Sequence, residues 1–306
     1  MPTLRIETRD FDVPYDHLNG VTNPTVSRRK CLKFAMTVGL SSLSPTFGRT
    51  RVGLTLAAYR AAAVRCAIEF GHAQLTRVPR FRRLDGTEQG NIAYWIGMTF
   101  VGIAADKVLG VSKLIHATQA HGVVKANPIS RSLADLVGQD TNQAWHVLEA
   151  KGRQISPSAQ KLLDWKTQAG TIIGVNGAGV ATNSYCVGFL QNPCSVELVD
   201  PPPSTPSVRL VIPPEEFGQL YYQPFLDFIG VADTWVIRGG RSVLLRVIGV
   251  DPIDNDYIYV GLDEKIVDAA RKTGRFPQRL PEFEDKDLYI ATDGIAVMTS
   301  PGACDL

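Results

Sequence analysis

Three charged residues in the middle of the chain have types and a spacing that could support phosphodiester chemistry. Thirteen residues separate Asp135 from Glu149, and Lys151 follows Glu149 two positions later. Side chains alternate between the two faces of a strand, so Glu149 and Lys151 are expected to point the same way. Burying such charges is costly unless they neutralise one another or hold an ion. The stretch therefore predicts either an ion pair or an ion-binding site.

Two carboxylates with the backbone carbonyl of Ala150 between them form a set of hard oxygen ligands. Mg²⁺ prefers such ligands, and Mn²⁺ is the alternative ion. A neighbouring lysine could orient or deprotonate an attacking water and stabilise the charge that develops on a phosphate. These residues predict a phosphodiester-cleaving site in which Asp135, Glu149 and the Ala150 carbonyl bind the metal.

The elements that position these residues are predicted to form a β-hairpin. Residues 133–138 and 145–150 read as two short apolar strands, and the polar residues 139–143 between them have the composition of a turn. Asp135 falls in the first predicted strand. Hairpin pairing would then bring Asp135 beside Glu149 and Lys151.

The motif formed by Asp135 and the run Glu149-Ala150-Lys151 resembles that of the PD-(D/E)XK nuclease superfamily, the fold of restriction endonucleases and many repair nucleases. The resemblance covers roughly residues 89–190, and Ala134 stands where the motif usually has proline. It implies an α/β protein with a restriction-endonuclease-like mixed sheet flanked by helices. It also implies Mg²⁺-dependent cleavage of DNA, with Asp135, Glu149 and Lys151 as catalytic residues.

The resemblance implies two further catalytic candidates. Gln160 lies nine residues beyond Lys151 on a predicted helix, where many relatives carry a glutamine, and Glu88 precedes a long predicted helix that often supplies an extra acid. Each has a structural alternative: an exposed helical glutamine, and an acid that stabilises a helix N-terminus. For the Glu-x-Lys triplet itself, the alternative is a solvated ion pair that contributes little.

The basic residues of the chain are unevenly distributed. Residues 28–83 contain twelve Lys or Arg and one acid, whereas residues 251–287 contain ten acids and six bases, so the net charge is only +2. This asymmetry favours a positive face suited to phosphates, although arginines scattered over solvated helices would give the same count. The predicted DNA contacts are Arg77, Arg80, Arg82, Arg83, Arg131 and Arg153.

Composition predicts four segments along the chain. They are an N-terminal arm and basic helix (1–48), a nuclease core with its preceding helices (49–191), a proline-rich linker (192–206) and an α+β segment (207–306). The first 25 residues are polar and rich in turn formers, which predicts a loosely ordered arm. The last segment is a candidate for binding a protein partner or regulating the core.

Cysteine usage and the apolar segments predict a cytoplasmic protein. No pair of the five cysteines has CxxC spacing, so neither a zinc site nor a disulfide framework is indicated. The apolar segment 92–105 is too short to cross a membrane. The run 27–33, with Arg28 and Arg29, resembles a twin-arginine export motif. Three functions therefore stay open: a nuclease, a non-catalytic nuclease-fold scaffold of a defence or repair system, and an exported binding protein.

Overall fold

A computed structural model describes residues 1–39, 51–119, 123–125, 133–200, 208–212, 214–229, 234–250 and 256–301. The helices in these ranges are α1 (Arg28–Thr37), α2 (Arg51–Ala67), α3 (Gly86–Ala104), α4 (Ala159–Ala169), α5 (Pro214–Ile229) and α6 (Glu264–Lys272). The strands are β1 (Arg5–Arg9), β2 (Gly20–Thr22), β3 (Ile68–Glu69), β4 (Thr76–Arg77), β5 (Lys113–His116), β6 (Val123–Lys125), β7 (Leu136–Gln139), β8 (Trp145–Arg153), β9 (Ile172–Val175), β10 (Ala178–Gly179), β11 (Thr182–Phe189), β12 (Ser195–Val199), β13 (Val208–Leu210), β14 (Thr234–Arg238), β15 (Arg241–Val250), β16 (Asp256–Asp263), β17 (Phe283–Glu284), β18 (Leu288–Ile290) and β19 (Ile295–Pro301).

A mixed seven-stranded sheet lies at the centre of the fold, with the strand order β2-β1-β12-β11-β8-β7-β5. The strands β5, β7 and β8 pair antiparallel, while β8 and β11 pair parallel. Parallel neighbours need a crossover connection, and α4 supplies it between β8 and β11. This combination of sheet and helices confirms the predicted α/β class.

The hairpin of β7 and β8 is closed by a local turn. The side chain of Asp140 accepts hydrogen bonds from the backbone N–H groups of Asn142 (2.8 Å) and Ala144 (2.9 Å). Aspartate is favoured in turns because its side chain can satisfy backbone donors in this way. The register pairs Leu136 with Leu148. Asp135 lies at a bend immediately before β7, rather than within the strand as predicted.

Helices α3 and α4 cover opposite faces of the central sheet. Gly188 of β11 lies against Phe100 of α3, whereas Tyr185 of the same strand packs against Trp165 of α4, with ring centroids 6.2 Å apart. Residues of odd and even number in a strand face opposite sides, so the two helices cannot share a face. The predicted arrangement of a mixed sheet between helices is therefore present.

The C-terminal segment is joined to the rest of the protein. It forms all six strands of an antiparallel sheet with the order β14-β15-β16-β19-β18-β17, and α1 packs against β19. Lys33 of α1 and Asp293, in the turn before β19, form a fully buried ion pair, with Nζ and Oδ2 2.6 Å apart. Leu32 and Ile295 belong to the same hydrophobic core.

Two of the four predicted segments differ from this structure. The N-terminal arm is not loosely ordered, because β1 pairs in parallel with β12 inside the central sheet. The predicted linker is wrong over β12, which buries Val196 and Leu198 and so behaves as a core strand. Residues 201–206 of the predicted linker lie outside the described ranges. The prolines are typical of a linker, but composition did not reveal that β12 lies between Pro193 and Pro201.

The twin-arginine resemblance falls on a core helix. Ser27 caps α1 by accepting a hydrogen bond from the Lys30 backbone N–H (3.1 Å), and Cys31 is completely buried. The guanidinium of Arg29 donates to the carbonyls of Lys286 (2.6 Å) and Asp285 (2.7 Å). These contacts give Arg29 a structural role in joining α1 to the C-terminal segment.

Helix α3 continues through a π-helical turn (Ala105–Leu109) and is long and apolar enough to span a membrane by length and composition. The sequence predicted that the apolar segment 92–105 is too short to cross a membrane, but the helix that contains it extends over residues 86–109. Most of it is buried inside the protein, which is the environment of a core helix in a soluble protein.

Among the described cysteines, Cys31, Cys66, Cys186 and Cys194 are free thiols, in agreement with the prediction that no disulfide framework forms.

Candidate active site

The hairpin brings Asp135, Glu149 and Lys151 into contact. The ammonium of Lys151 contacts Oε1 of Glu149 and lies 3.7 Å from Oδ2 of Asp135. The same Oδ2 accepts a hydrogen bond from the backbone N–H of Ala150 at 3.0 Å. The alternation of β8 places Glu149 and Lys151 on one face, and the hairpin register sets Asp135 opposite Glu149.

Burial distinguishes the two carboxylates. The side chain of Glu149 is completely buried, whereas Asp135 and Lys151 keep 19% and 21% of their side-chain surface exposed. Within the described part of the chain, neither oxygen of Glu149 accepts a hydrogen bond of normal geometry. A buried carboxylate with so few donors is costly, because the charged form loses its hydration without full replacement.

The pKa of Glu149 reflects this environment. Burial first and the neighbouring Asp135 second raise the pKa of Glu149 to about 8, although Lys151 offsets part of the shift. Without a metal ion beside it, much of Glu149 is therefore protonated at neutral pH. A cation at this position would favour the ionised carboxylate.

These residues fit a hard divalent cation that keeps several waters. In the described ranges, no group of three or more His, Cys, Asp or Glu side chains could hold a metal. The protein ligands would be the carboxylates of Asp135 and Glu149 and the carbonyl of Ala150. Mg²⁺ is commonly held by one or two carboxylates together with water and phosphate oxygens, so this small set suits it. The complete burial of the Glu149 carboxylate beside the second carboxylate of Asp135 is the observation behind the fit.

Sequence reasoning missed Tyr94, which α3 places beside the site. Gly152 approaches α3 so closely that a Cβ at this position would lie 1.8 Å from the carbonyl oxygen of Ala93 and 3.0 Å from the Cα of Tyr94. The pKa of Tyr94 is raised first by burial and then by the charge of Asp135, with a smaller effect from Glu149. The sequence predicted the helix but contained no signal for which residues face β8.

The two second-tier catalytic candidates lie elsewhere. Gln160 is exposed on α4 and donates from Nε2 to Asp164 on the same helix (3.0 Å). Glu88 forms a capping box with Asp85 at the start of α3. Neither side chain has a hydrogen bond or ion pair with the charged residues of the hairpin. The structural alternatives stated for these two residues therefore describe their positions.

The six predicted DNA contacts differ in their surroundings. Arg77 is buried, and its NH1 donates to Oε1 of Gln154 (3.3 Å) and the carbonyl of Leu190 (3.4 Å). Because Arg77 is buried and protein oxygens already accept from its NH1, its described contacts are structural ones and not the exposed phosphate contact that was predicted. Arg153 is partly buried, with its guanidinium 5.0 Å from the Trp165 ring. Arg131 lies outside the described residues.

The remaining arginines are accessible. A 3₁₀ turn (Pro79–Arg83) directly precedes α3, and it exposes Arg80, Arg82 and Arg83. Phe81, between them, is buried and anchors the turn in the core. Exposed guanidinium groups beside a helix N-terminus form a suitable surface for phosphate oxygens.

Comparisons with protein-family models, with curated proteins and with solved structures found no match to this chain.

Proposed function

We propose that this protein is a Mg²⁺-dependent nuclease that hydrolyses phosphodiester bonds of DNA. The observation that carries the proposal is the fully buried carboxylate of Glu149, which faces both Asp135 and Lys151 at the end of the hairpin. Strongly perturbed carboxylates with a specific charged partner are typical of functional sites. Mn²⁺ is the alternative ion.

The order of the elements supports a restriction-endonuclease-like core. A helix (α3), a hairpin (β7 and β8), a second helix (α4) and a strand (β11) parallel to β8 follow one another along the chain. This order is the one implied by the resemblance to PD-(D/E)XK nucleases. The additional strands β1, β2 and β12 extend the sheet on the side of β11.

The roles of the residues follow from their positions. Asp135, Glu149 and the Ala150 carbonyl would hold the cation, which supplies a Lewis acid and lowers the pKa of a bound water. Lys151 orients the attacking water and donates to a non-bridging phosphate oxygen. A bond forms between the water oxygen and phosphorus, while the bond between phosphorus and the leaving sugar oxygen breaks. The proton of the water passes to solvent.

DNA would reach the site across the exposed arginines Arg80, Arg82 and Arg83. They lie at the N-terminus of α3, where the helix dipole also favours negative charge. Phosphate contacts of this kind position a nucleic acid without reading its sequence. Arg153 lies next to the charged residues in β8, and its guanidinium is partly engaged with Trp165.

The proposal is tested by cleavage of supercoiled, linear and single-stranded DNA with Mg²⁺ or Mn²⁺. We expect cutting by the wild type and at least a hundredfold loss in Glu149→Ala and Lys151→Ala. Asp164→Asn serves as the control, since this exposed acid lies on α4 and pairs with Gln160. Equal residual cutting in all variants would assign the activity to a contaminant.

One observation favours a second candidate, a non-catalytic binding or scaffold protein with the same fold. The ammonium of Lys151 contacts Glu149, so the chain partly neutralises the site by itself. A scaffold would bind DNA without cutting it and would bind no Mn²⁺. Calorimetric titration with Mn²⁺ separates the two candidates, because a nuclease binds the ion even when its preferred DNA has not been supplied.

We also propose a cytoplasmic location and a protein partner for the C-terminal segment. The free thiols of the described cysteines suit a reducing compartment. Strands β14 and β15, at one end of the six-stranded sheet, expose several large apolar side chains: Trp235, Ile237, Val247 and Val250. Fractionation of cells would test the location. Co-purification of partners with the wild type and with variants substituted within residues 207–306 would test the partner.

A further inference from the structure

An exposed aromatic cluster lies where α2 and α3 meet. Tyr59 and Tyr94 keep 47% and 39% of their surface exposed. Both contact the partly buried Trp95, with ring centroids 6.4 Å and 4.8 Å from it. Exposed aromatic rings that pack against one another are held rigidly and lose little further entropy when a ligand stacks on them.

A buried cation supports this cluster. The guanidinium of Arg60 lies 4.2 Å from the centroid of the Trp95 ring, and its NH1 donates to the carbonyl of Val38 at 2.8 Å. Burial lowers the pKa of Arg60 to about 10, so the guanidinium stays charged at neutral pH. The Trp95 ring is therefore held by a cation beneath it, and the cluster presents a fixed aromatic surface on which π faces can stack.

The cluster adjoins the candidate active site. The Cα of Tyr94 lies against Gly152, the residue that follows Lys151 in β8. Tyr94 is therefore on the part of α3 that crosses β8 near the C-terminal end of that strand. The charge of Asp135 acts on the Tyr94 hydroxyl. Glu149 and Lys151 point away from α3, so a strand stacked on Tyr94 would pass the end of β8 to reach them.

The surface of α3 connects the cluster with the arginine turn. The positions Thr87, Asn91 and Tyr94 are exposed and three or four residues apart, which places them on one face of the helix. Gly90 lies on the same face, and a Cβ added there would meet no atom within 4 Å. The distance along the axis from Gly86 to Tyr94 is about 12 Å. An open path of this length can hold a short stretch of an extended strand.

We propose that Tyr59, Tyr94 and Trp95 bind the unpaired bases of single-stranded DNA and lead the strand along α3 to the hairpin. The bases of a duplex hide their faces in the stack, whereas those of a single strand can stack on aromatic side chains regardless of sequence. The phosphates of the strand would meet the arginine turn before α3. This inference rests on the proposed nuclease function for its substrate and deepens it by naming the strand type.

The test is binding in EDTA, where no metal-dependent cleavage occurs. Fluorescence anisotropy compares a fluorescein-labelled oligo(dT) single strand with a duplex of the same length. We expect the single strand to bind more tightly, and Tyr94→Ala to weaken single-strand binding by about tenfold while duplex binding changes less. Tyr94→Phe keeps the ring and should bind as the wild type does.

Two further variants keep the test independent of folding defects. Gly90→Glu adds a negative charge to the open path without a steric clash, and it should also weaken single-strand binding by about tenfold. Leu163→Ala removes an exposed apolar side chain of α4, on the opposite face of the central sheet, and should change nothing. Equal binding of single strand and duplex by the wild type, or unchanged affinity in both Tyr94→Ala and Gly90→Glu, would overturn the inference.

The outcomes separate this inference from the proposed function. If single strands bind through Tyr94 but no DNA is cut, the stacking surface is supported and the nuclease proposal fails. If DNA is cut while Tyr94→Ala binds and cuts single strands normally, the nuclease proposal stands and the stacking surface is rejected.

Discussion

The ammonium of Lys151 contacts Oε1 of Glu149, a carboxylate that is completely buried. Burial and Asp135 raise the pKa of Glu149 from its ordinary value of 4.5 to about 8. Between these two pH values the folded protein holds a proton that the unfolded chain has released. The free energy of unfolding therefore falls as pH rises through this window.

Glu149→Gln should remove that pH dependence. In EDTA we expect the variant to match the wild type at pH 5 and to exceed its free energy of unfolding by a few kcal/mol at pH 9, measured by urea unfolding. Glu282→Gln is the control of opposite sign. The pKa of Glu282 is lowered to about 2 by Lys30 and Lys107 despite burial, so its loss should destabilise the protein at neutral pH. A difference for Glu149→Gln that does not vary with pH would contradict the assignment.

Binding of a divalent cation should strengthen with pH. The metal takes the ionised carboxylate, so the affinity for Mn²⁺ should rise up to about pH 8 and then level off. Calorimetry in buffers of different ionisation enthalpy should detect proton release below pH 8. Asp135→Asn and Glu149→Gln should each lose at least tenfold in affinity, while Asp164→Asn should retain it. Unchanged affinity in the first two variants would place the ion elsewhere.

Gly152→Ala should be strongly destabilising. Its Cβ would lie 1.8 Å from the carbonyl oxygen of Ala93, and neither α3 nor β8 can move without disturbing the core. We expect a loss of about 3 kcal/mol or more in the free energy of unfolding. Gly90→Ala is the matched control, because nothing lies within 4 Å of its Cβ and alanine favours the helix by about 1 kcal/mol. Urea unfolding of both variants measures the contrast.

Lys33→Met tests the connection between α1 and the C-terminal sheet. The substitution leaves the buried Asp293 without its cation, although the Tyr221 hydroxyl still donates to it at 2.6 Å. We expect a loss of about 3–5 kcal/mol. Lys272→Met removes an exposed pair with Asp268 and should cost less than about 1 kcal/mol. A small effect of Lys33→Met on thermal unfolding would indicate that α1 and the sheet unfold independently.

The arginines should separate into structural and DNA-binding residues. Replacing both Arg82 and Arg83 with alanine should weaken DNA binding and lower the slope of log affinity against log salt by about 1–2, with little change in stability. Arg77→Ala should instead destabilise the protein, because it removes a buried donor to Gln154 and Leu190. Binding titrations at several salt concentrations, together with thermal unfolding, check both expectations. The reverse pattern would make Arg77 the phosphate contact.

The sequence determined the features that depend on neighbours in the chain. The hairpin around Asp140 could be predicted because a turn and two apolar runs are local signals, and alternation along β8 placed Glu149 beside Lys151. The long helix that follows Glu88 was similarly predicted from the sequence, and the structure begins it at Gly86, after the Asp85 cap.

Only the tertiary structure decided the environment of these residues. Complete burial of Glu149, the approach of Tyr94 to Gly152 and the burial of Arg77 all result from elements far apart in sequence. The pairing of β1 with β12 joins residues nearly two hundred positions apart, and no local pattern specifies it. The sequence thus determined which charged groups share a hairpin, while long-range packing decided how much water each of them retains and which partners it meets.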